Sequence, residues 1–177
     1  MHNPFTVHRS LFTLFEKRSP RFVLHILFVC TGNTCRSPIA EGLLRRALEA
    51  RGLAAQMTVA SAGTGAWDGA PASEGAYLVG IEQGVDLSSH RARLLTRELV
   101  ASADVILVMS RHHAVRVAEL GGTDRVHLLG EFAGKTGEVT DPFGGELEDY
   151  RTTFAELREL VDAVVTRLPA EPLGDQR

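Results

Sequence analysis

The chain has 177 residues, of which 44% are apolar and 23% charged, a composition typical of one folded domain with an ordinary core. Its formal net charge of −3 offers no basic field for neutralising phosphates, which excludes a general nucleic-acid binder. No apolar run approaches the about 20 residues that cross a bilayer, so we expect no membrane partner.

The chain contains two cysteines, Cys30 and Cys35. Two cysteines are too few for a disulfide framework or for a cysteine-rich zinc site. We therefore expect a reducing, cytoplasmic compartment and at least one functional thiol. We expect no metal and no cofactor.

The first 22 residues are basic, and we expect them to be a disordered leader. The apolar run Val23–Val29 then has the length of a strand that is covered on both faces of a parallel sheet. His25 interrupts this run and no small-residue cleavage site follows it, so we interpret it as a strand and not as a signal peptide. His25 itself is interpreted as a core histidine with a hydrogen-bond partner.

Helices and strands alternate after this first strand. Ser37 suits the N-cap and Pro38 the first position of a helix that Gly52 would end. Further strands are predicted over 56–60, 104–109 and 126–129, and further helices over about 73–83, from Thr96, over 110–120 and up to about Leu168. A long loop through Gly145 would precede the last helix. The alternation predicts a single α/β domain over 23–169, an open parallel sheet of about four strands with helices on both faces, followed by a frayed tail over 170–177.

The loop between the first strand and the first helix indicates the chemistry. Cys30 lies where that strand ends, which is where active sites of parallel sheets lie. Gly32 lets successive N–H groups converge, and the helix that begins at Ser37 adds its N-terminal dipole. The planar fork of Arg36 matches two phosphate oxygens. The sequence therefore predicts a phosphate cradle, with a Cys30 thiol of lowered pKa that accepts a hydrogen bond from Ser37 and acts as a nucleophile.

The segment Val29-Cys-Thr-Gly-Asn-Thr-Cys-Arg-Ser-Pro38 resembles the signature loop of the low-molecular-weight protein tyrosine phosphatase family. Three further motifs, Ser61-Ala-Gly, Ser89-His-Arg and Thr140-Asp-Pro-Phe, stand in the same order as in that family. The resemblance runs from His25 to about Leu168. It implies a P-loop phosphatase fold and the hydrolysis of phosphorylated protein side chains.

The resemblance also implies residue roles. Cys30 would form a phosphocysteine intermediate, Arg36 would hold the phosphate, and Asp141 would act as general acid and then as base. The other residues of the phosphate-binding loop would be Thr31, Gly32, Asn33, Thr34, Cys35 and Ser37. Asn33 would hold the strained shape of the loop. Cys35 would form a protective, reversible disulfide with Cys30, or it is an inert thiol.

Two features bear on which phosphorylated side chain is the substrate, and they disagree. Thr34 stands where tyrosine phosphatases of the family often carry a bulky aliphatic residue; together with Asp141-Pro-Phe-Gly-Gly145 it resembles the branch that acts on phosphoarginine. A threonine hydroxyl and a narrow aromatic wall at Phe143 suit a planar guanidinium better than a phenyl ring. Trp67 lies where tyrosine phosphatases often place an aromatic beside the substrate, unless it is a packing anchor. We favour phosphoarginine, with phosphotyrosine as the alternative.

Other functions are less consistent with the sequence. Thiol-dependent arsenate reductases on this scaffold need more than two cysteines, and a phosphate-binding module would not need both Cys30 and Asp141. The adjacent pair His112 and His113 would point about 100° apart on a helix, so we interpret it as solvated surface and not as a metal pair. His90 is expected to make structural hydrogen bonds. We expect a monomer whose partners are phosphorylated proteins.

Overall fold

The computed structural model describes residues 23–167, so the predicted leader and tail lie outside the described residues. The described elements follow in the order β1 (Leu24–Cys30), α1 (Arg36–Ala50), β2 (Met57–Gly63), α2 (Glu74–Glu82), α3 (Arg97–Ser102), β3 (Val105–Val108), α4 (Arg111–Glu119), β4 (Val126–Leu128), α5 (Leu129–Phe132) and α6 (Leu147–Val165). No helix within this part of the chain is both long and apolar enough to cross a membrane.

The strands form one parallel sheet in the order β2-β1-β3-β4, which confirms the predicted α/β class. Strand β1 is central, and its register pairs Cys30 with Gly63 at the end of β2. The carboxyl ends of β1, β2 and β3 therefore lie at the same edge, as the ends of parallel strands do.

Strand β1 is covered on both faces, as its continuous apolar run predicts. Ile26 and Phe28 belong to a large core that also includes side chains of α1 and α6, whereas Leu27 and Val29 belong to a second core with side chains of α3 and α4. The prediction for His25 is wrong, because its side chain is exposed at the start of the strand. There its Nδ1 lies 2.5 Å from the hydroxyl oxygen of Thr58, its partner residue on β2.

Several predicted boundaries differ from the structure. Strand β2 continues three residues further than predicted, to Gly63, because Ser61–Gly63 still pair with Phe28–Cys30. Helix α1 begins at Arg36 with Cys35 at its N-cap, so Ser37 is not a capping residue. The predicted loop after β4 contains the short helix α5. The last helix ends at Val165, and Leu168 lies outside the described residues.

Candidate active site

The loop between β1 and α1 surrounds a pocket of about 170 Å³ at the carboxyl edge of the sheet. It brings together most of the residues predicted from the sequence. The lining residues are Cys30, Thr31, Gly32, Thr34, Cys35, Arg36, Asp141 and Phe143. Asn33 and Ser37 are buried behind this lining.

Asn33 holds the loop in shape. Its φ of 54° lies in the left-handed region, which is strained for a residue with a side chain. Its amide Nδ2 donates to the hydroxyls of Ser37 (2.9 Å) and Ser61 (2.8 Å), and its Oδ1 accepts from the backbone N–H of Arg93 at 2.9 Å. Its carbonyl oxygen lies 2.7 Å from Nε2 of His90, so His90 makes the structural hydrogen bond expected of it. These contacts offset the cost of the strained backbone.

Gly63 allows β2 to approach the loop closely. A Cβ atom at this position would lie 2.4 Å from the carbonyl oxygen of Thr31 and 2.8 Å from the backbone nitrogen of Asn33. Real side chains do not tolerate such distances. Glycine is therefore required where the second strand supports the loop.

The thiol of Cys30 is buried at the bottom of the pocket. Its Sγ lies 2.9 Å from the hydroxyl oxygen of Ser37 and accepts a hydrogen bond from the backbone N–H of Asn33 at 3.3 Å. Burial raises the pKa of the thiol, and the hydrogen bonds from Ser37 and Asn33 and the charge of Arg36 oppose this effect. The predicted lowering of this pKa is therefore wrong for this structure. The sequence shows the groups that lower the pKa, but it does not show complete burial.

Arg36 is oriented by the protein and still has an unused donor. Its Nη1 donates to the carbonyl oxygen of Val139 at 3.1 Å, and its Nη2 pairs with Oδ2 of Asp141 at 2.5 Å. Its Nε is buried and has no acceptor among residues 23–167. An unsatisfied, charged donor in a buried site is unfavourable, and a phosphate oxygen would satisfy it. The guanidinium therefore fits an anionic ligand.

Asp141 enters the pocket from the segment that links α5 to α6. Its ion pair with Arg36 holds one carboxylate oxygen, and the other accepts a hydrogen bond from the backbone N–H of Phe143 at 3.2 Å. Phe143 is 78% exposed at the rim of the pocket. Trp67 is 84% exposed and is not among the lining residues, so it is not a packing anchor. Its proposed contact with the substrate stays a prediction.

Both cysteines are free thiols. The Sγ of Cys35 lies 3.1 Å from the hydroxyl oxygen of Ser73, the residue directly before α2. It lies 3.8 Å from the hydroxyl oxygen of Tyr150 on α6. A disulfide between Cys35 and Cys30 stays a prediction. Within the described part of the chain, no three His, Cys, Asp or Glu side chains are grouped so that they could hold a metal ion.

His113 is a site residue that the sequence interpretation missed. It is fully buried and not solvated surface, and its Nε2 lies 2.9 Å from the hydroxyl oxygen of Thr31 in the loop. Its Nδ1 lies 2.8 Å from the hydroxyl oxygen of Ser110. Burial is the main cause that lowers its pKa to about 3, and the neighbouring His112 and Arg36 add to this effect. The ring is therefore neutral, with one nitrogen donating and the other accepting.

The position of His113 could have been inferred from topology. Helix α4 follows β3 after two residues, so its first turn lies at the same edge of the sheet as the loop after β1. Successive helical residues point about 100° apart. This explains why His113 is buried while His112 is exposed, as predicted for that residue.

Comparisons with known proteins show what the chain is similar to. The family model described as low molecular weight phosphotyrosine protein phosphatase matches residues 25–173. The chain is 40% identical over 148 residues to the protein-arginine-phosphatase of Bacillus subtilis (strain 168), an alignment that covers 82% of this chain and 97% of that protein. It is 39% identical over 147 residues to a probable low molecular weight protein-tyrosine-phosphatase, EpsP, of Ralstonia solanacearum, covering 82% and 96%.

Solved structures show the same similarity. A mutant of the arginine phosphatase YwlE with a phosphorylated active-site serine superimposes with a TM-score of 0.77 at 39% identity, covering 82% of this chain and 95% of that one. A low molecular weight protein tyrosine phosphatase from T. tengcongensis gives a TM-score of 0.77 at 40% identity, covering 82% and 99%.

Proposed function

Because the chain belongs to the low molecular weight phosphotyrosine protein phosphatase family, a family of cysteine-dependent protein phosphatases, we propose that it removes the phosphoryl group from phosphoarginine side chains of proteins. The observation that carries the choice of substrate is Thr34, whose side chain lines the pocket beside Cys30. We propose that this activity lies in the cytoplasm, because both cysteines are free thiols. We also propose that the protein acts as a monomer.

Substrate binding requires a change of partner at Arg36. In the structure its Nη2 is paired with Asp141. A phosphoryl dianion and this carboxylate compete for the same guanidinium, so the carboxylate moves aside as the phosphoryl oxygens bind. The unused Nε of Arg36 becomes a second donor to the phosphoryl group. Asp141 is then free to face the leaving group.

The first chemical step transfers the phosphoryl group to Cys30. The thiol proton passes to the Asp141 carboxylate, and the Ser37 hydroxyl at 2.9 Å stabilises the thiolate that remains. The sulfur attacks phosphorus, an S–P bond forms, and the P–N bond breaks with its electron pair going to the guanidine nitrogen. Asp141 donates a proton to that nitrogen. The arginine leaves and a phosphocysteine remains.

The second step reverses the role of Asp141. The carboxylate takes a proton from a water molecule that attacks phosphorus. The S–P bond breaks, its electron pair returns to the Cys30 sulfur, and inorganic phosphate is released from Arg36. The Asn33 contacts keep the loop in one shape throughout, so donors need no reorganisation during either step.

Identity alone does not separate the two substrate classes. The chain is about equally similar to a protein named for arginine and to one named for tyrosine, at 40% and 39% identity. Thr34 supports phosphoarginine, because this small, half-buried residue of the pocket lining carries a hydroxyl that suits a polar guanidinium better than a phenyl ring. Phe143 supplies one aromatic wall at the rim. Phosphotyrosine is the second candidate substrate.

The test compares kcat/KM for a phosphoarginine peptide and a phosphotyrosine peptide of the same sequence. We expect a preference for phosphoarginine, and we expect Thr34→Ile to shift the ratio toward phosphotyrosine by roughly tenfold or more, the effect of one or two apolar contacts. Thr152→Ile, an exposed change on α6, is the control.

Cys30→Ser should abolish turnover of both peptides. Turnover that survives this change would contradict the mechanism. A preference for phosphotyrosine in the wild type, or a ratio that Thr34→Ile leaves unchanged, would contradict the assignment of the substrate and of its selector.

A further inference from the structure

A second cavity lies behind the loop between β1 and α1, residues 30–36, which we call the catalytic loop. It is an open cleft of about 410 Å³ between α1, the edge strand β2 and the segment before α3. The residues that matter for its chemistry are Glu41, Arg45, Asp86, Arg91 and Arg93. The catalytic residues Cys30, Arg36 and Asp141 line the other pocket, so the cleft is a separate feature. Its volume is within the range of small-molecule sites.

The charges in the cleft favour an anion. Glu41 is already neutralised, because one carboxylate oxygen pairs with Arg45 and the other accepts from the Ser61 hydroxyl at 2.5 Å. Asp86 accepts from the backbone N–H of Ser88 at 2.8 Å. Glu41 and Arg45 cancel each other, which leaves the two guanidinium groups of Arg91 and Arg93 against the single carboxylate of Asp86, for which residues 23–167 supply no ion-pair partner.

Two of the arginines have donors to spare. Arg93 uses only Nε of its guanidinium within residues 23–167, donating to the Ser61 carbonyl oxygen at 2.8 Å. Arg91 uses Nη1 to reach the carbonyl oxygens of Ser88 and His90, and both arginine side chains are exposed. Guanidinium groups with free, paired N–H donors are the ligands that phosphate groups prefer.

Three residues that line the cleft are hydrogen bonded to Asn33 of the catalytic loop. Ser61, His90 and Arg93 all line the cleft. Each is hydrogen bonded to Asn33, at its Nδ2, its carbonyl oxygen and its Oδ1 respectively. A molecule in the cleft is therefore one hydrogen bond away from the residue that shapes the catalytic loop.

We propose that this cleft is a second binding site, which takes the phosphate group of a small molecule and transmits its occupancy to the catalytic loop through Asn33. Arg91 and Arg93 hold the phosphate group. The ligand is either inorganic phosphate or a phosphate ester, whose organic part would occupy the remaining volume of the cleft. Binding and its effect on the loop stand independently of the proposed activity, and only a consequence for turnover would rest on it. Binding and the state of the loop then influence each other reciprocally.

The experiment separates the two phosphate sites. Cys30 is carboxymethylated with iodoacetate, a single adduct is verified by mass, and the excess reagent is removed, so a covalent carboxylate fills the catalytic pocket. Inorganic phosphate and ribose 5-phosphate are then titrated separately while backbone amide resonances are followed by NMR. We expect saturable shifts at Arg91 and Arg93 that are accompanied by shifts at Asn33.

Matched variants identify the binding groups. Arg91→Ala and Arg93→Ala should each weaken binding about tenfold or more, the loss expected for one charge-assisted hydrogen bond. Arg97→Ala, an exposed arginine at the start of α3, should bind as the wild type does. Tighter binding of ribose 5-phosphate identifies a phosphate ester as the ligand, and equal binding identifies free phosphate.

Absence of saturable shifts with both probes, or binding that Arg91→Ala and Arg93→Ala leave unchanged, would overturn the site. Saturable shifts in the cleft without a shift at Asn33 would overturn its link to the loop. Because the alkylated protein is inactive by design, none of these results depends on whether the enzyme hydrolyses phosphoarginine.

Discussion

At the scale of single residues, the Ser37 hydroxyl has two partners in the site. It lies 2.9 Å from the Cys30 sulfur and accepts a hydrogen bond from Nδ2 of Asn33 at 2.9 Å. Because the amide supplies a proton to this oxygen, the hydroxyl is oriented to donate its own proton to sulfur. Ser37 therefore counteracts part of the rise that burial causes in the pKa of Cys30.

Replacing Ser37 by alanine should raise the pKa of Cys30 further, because a hydrogen bond that lowers this pKa is lost. We expect alkylation of Cys30 by iodoacetamide at neutral pH to slow by roughly three- to tenfold. The measurement is the alkylation rate as a function of pH. Ser102→Ala, at the end of α3, is the control, and equal rates for the two variants would contradict the role of Ser37.

The Asp141 carboxylate pairs with Arg36, where it competes with phosphate, and in the proposed mechanism it is also the general acid. Asp141→Asn should lower kcat by about 10²–10⁴-fold, the usual contribution of a general acid. The same change should strengthen inhibition by inorganic phosphate, because the ion pair that competes for Arg36 is removed. Steady-state kinetics with added phosphate measure both effects, and Asp162→Asn on the surface of α6 is the control. Weaker inhibition in Asp141→Asn would show that the pair does not compete with phosphate.

At the scale of elements, helix α4 contacts the loop between β1 and α1 through the neutral side chain of His113. The pKa of His113 is lowered to about 3 by burial, whereas an unfolded histidine titrates near 6.5. Between these two values the unfolded chain binds more protons at this residue than the folded chain does. The contribution of the neutral His113 to the free energy of unfolding is therefore complete above pH 6.5 and is lost as the pH falls toward 3.

His113→Gln should remove this pH dependence, because a glutamine amide does not titrate and can still donate and accept. We expect the difference in melting temperature between wild type and His113→Gln to shrink or reverse as the pH falls from 7 to 4. His112→Gln, one residue earlier and exposed, should leave the wild-type profile unchanged. A constant difference between wild type and His113→Gln at all pH values would show that His113 is not buried in its neutral form.

The elements were largely predictable because their signals are local. The apolar runs of β1 and β3 predicted buried strands, and Ser73 and Thr96 were placed correctly at the starts of α2 and α3, where both accept a capping hydrogen bond. Helix α5 was missed because its four residues are too few for a helical pattern. Contacts between distant segments were not predictable in the same way. The Arg93–Asn33 bond joins residues 60 positions apart.

In the candidate site, too, local features were predictable from the sequence and contacts between distant segments were not. Its loop residues are contiguous, so their types and spacing indicated a phosphate cradle. The cause of the raised Cys30 pKa is the packing of several elements around the sulfur, which no spacing reveals. Asp141 lies 105 positions from its partner Arg36 and was found through family resemblance. A lone Asp-Pro in a loop is ordinarily only a turn.

At the scale of the whole molecule, the large core supports the catalytic loop from one face of the sheet. Leu157 on α6 is fully buried in this core together with Phe28 and Cys30. Leu157→Ala should lower the free energy of unfolding by about 2–5 kcal/mol, the cost of deleting a buried leucine side chain. Denaturant titration measures the change. Leu78→Ala, the same change at a 39% exposed position of α2, should cost less than about 1 kcal/mol. Equal losses would contradict the central position of α6.

Under the proposed activity, the ion pair between Arg36 and Asp141 would discriminate between substrates by charge exchange. A phosphoarginine residue carries an anion and a guanidinium cation side by side. As its anion takes the place of Asp141 on Arg36, its cation arrives beside the displaced carboxylate. Every charge that loses a partner thus gains another in the same event. Phosphotyrosine brings the anion alone, which leaves the displaced carboxylate to water.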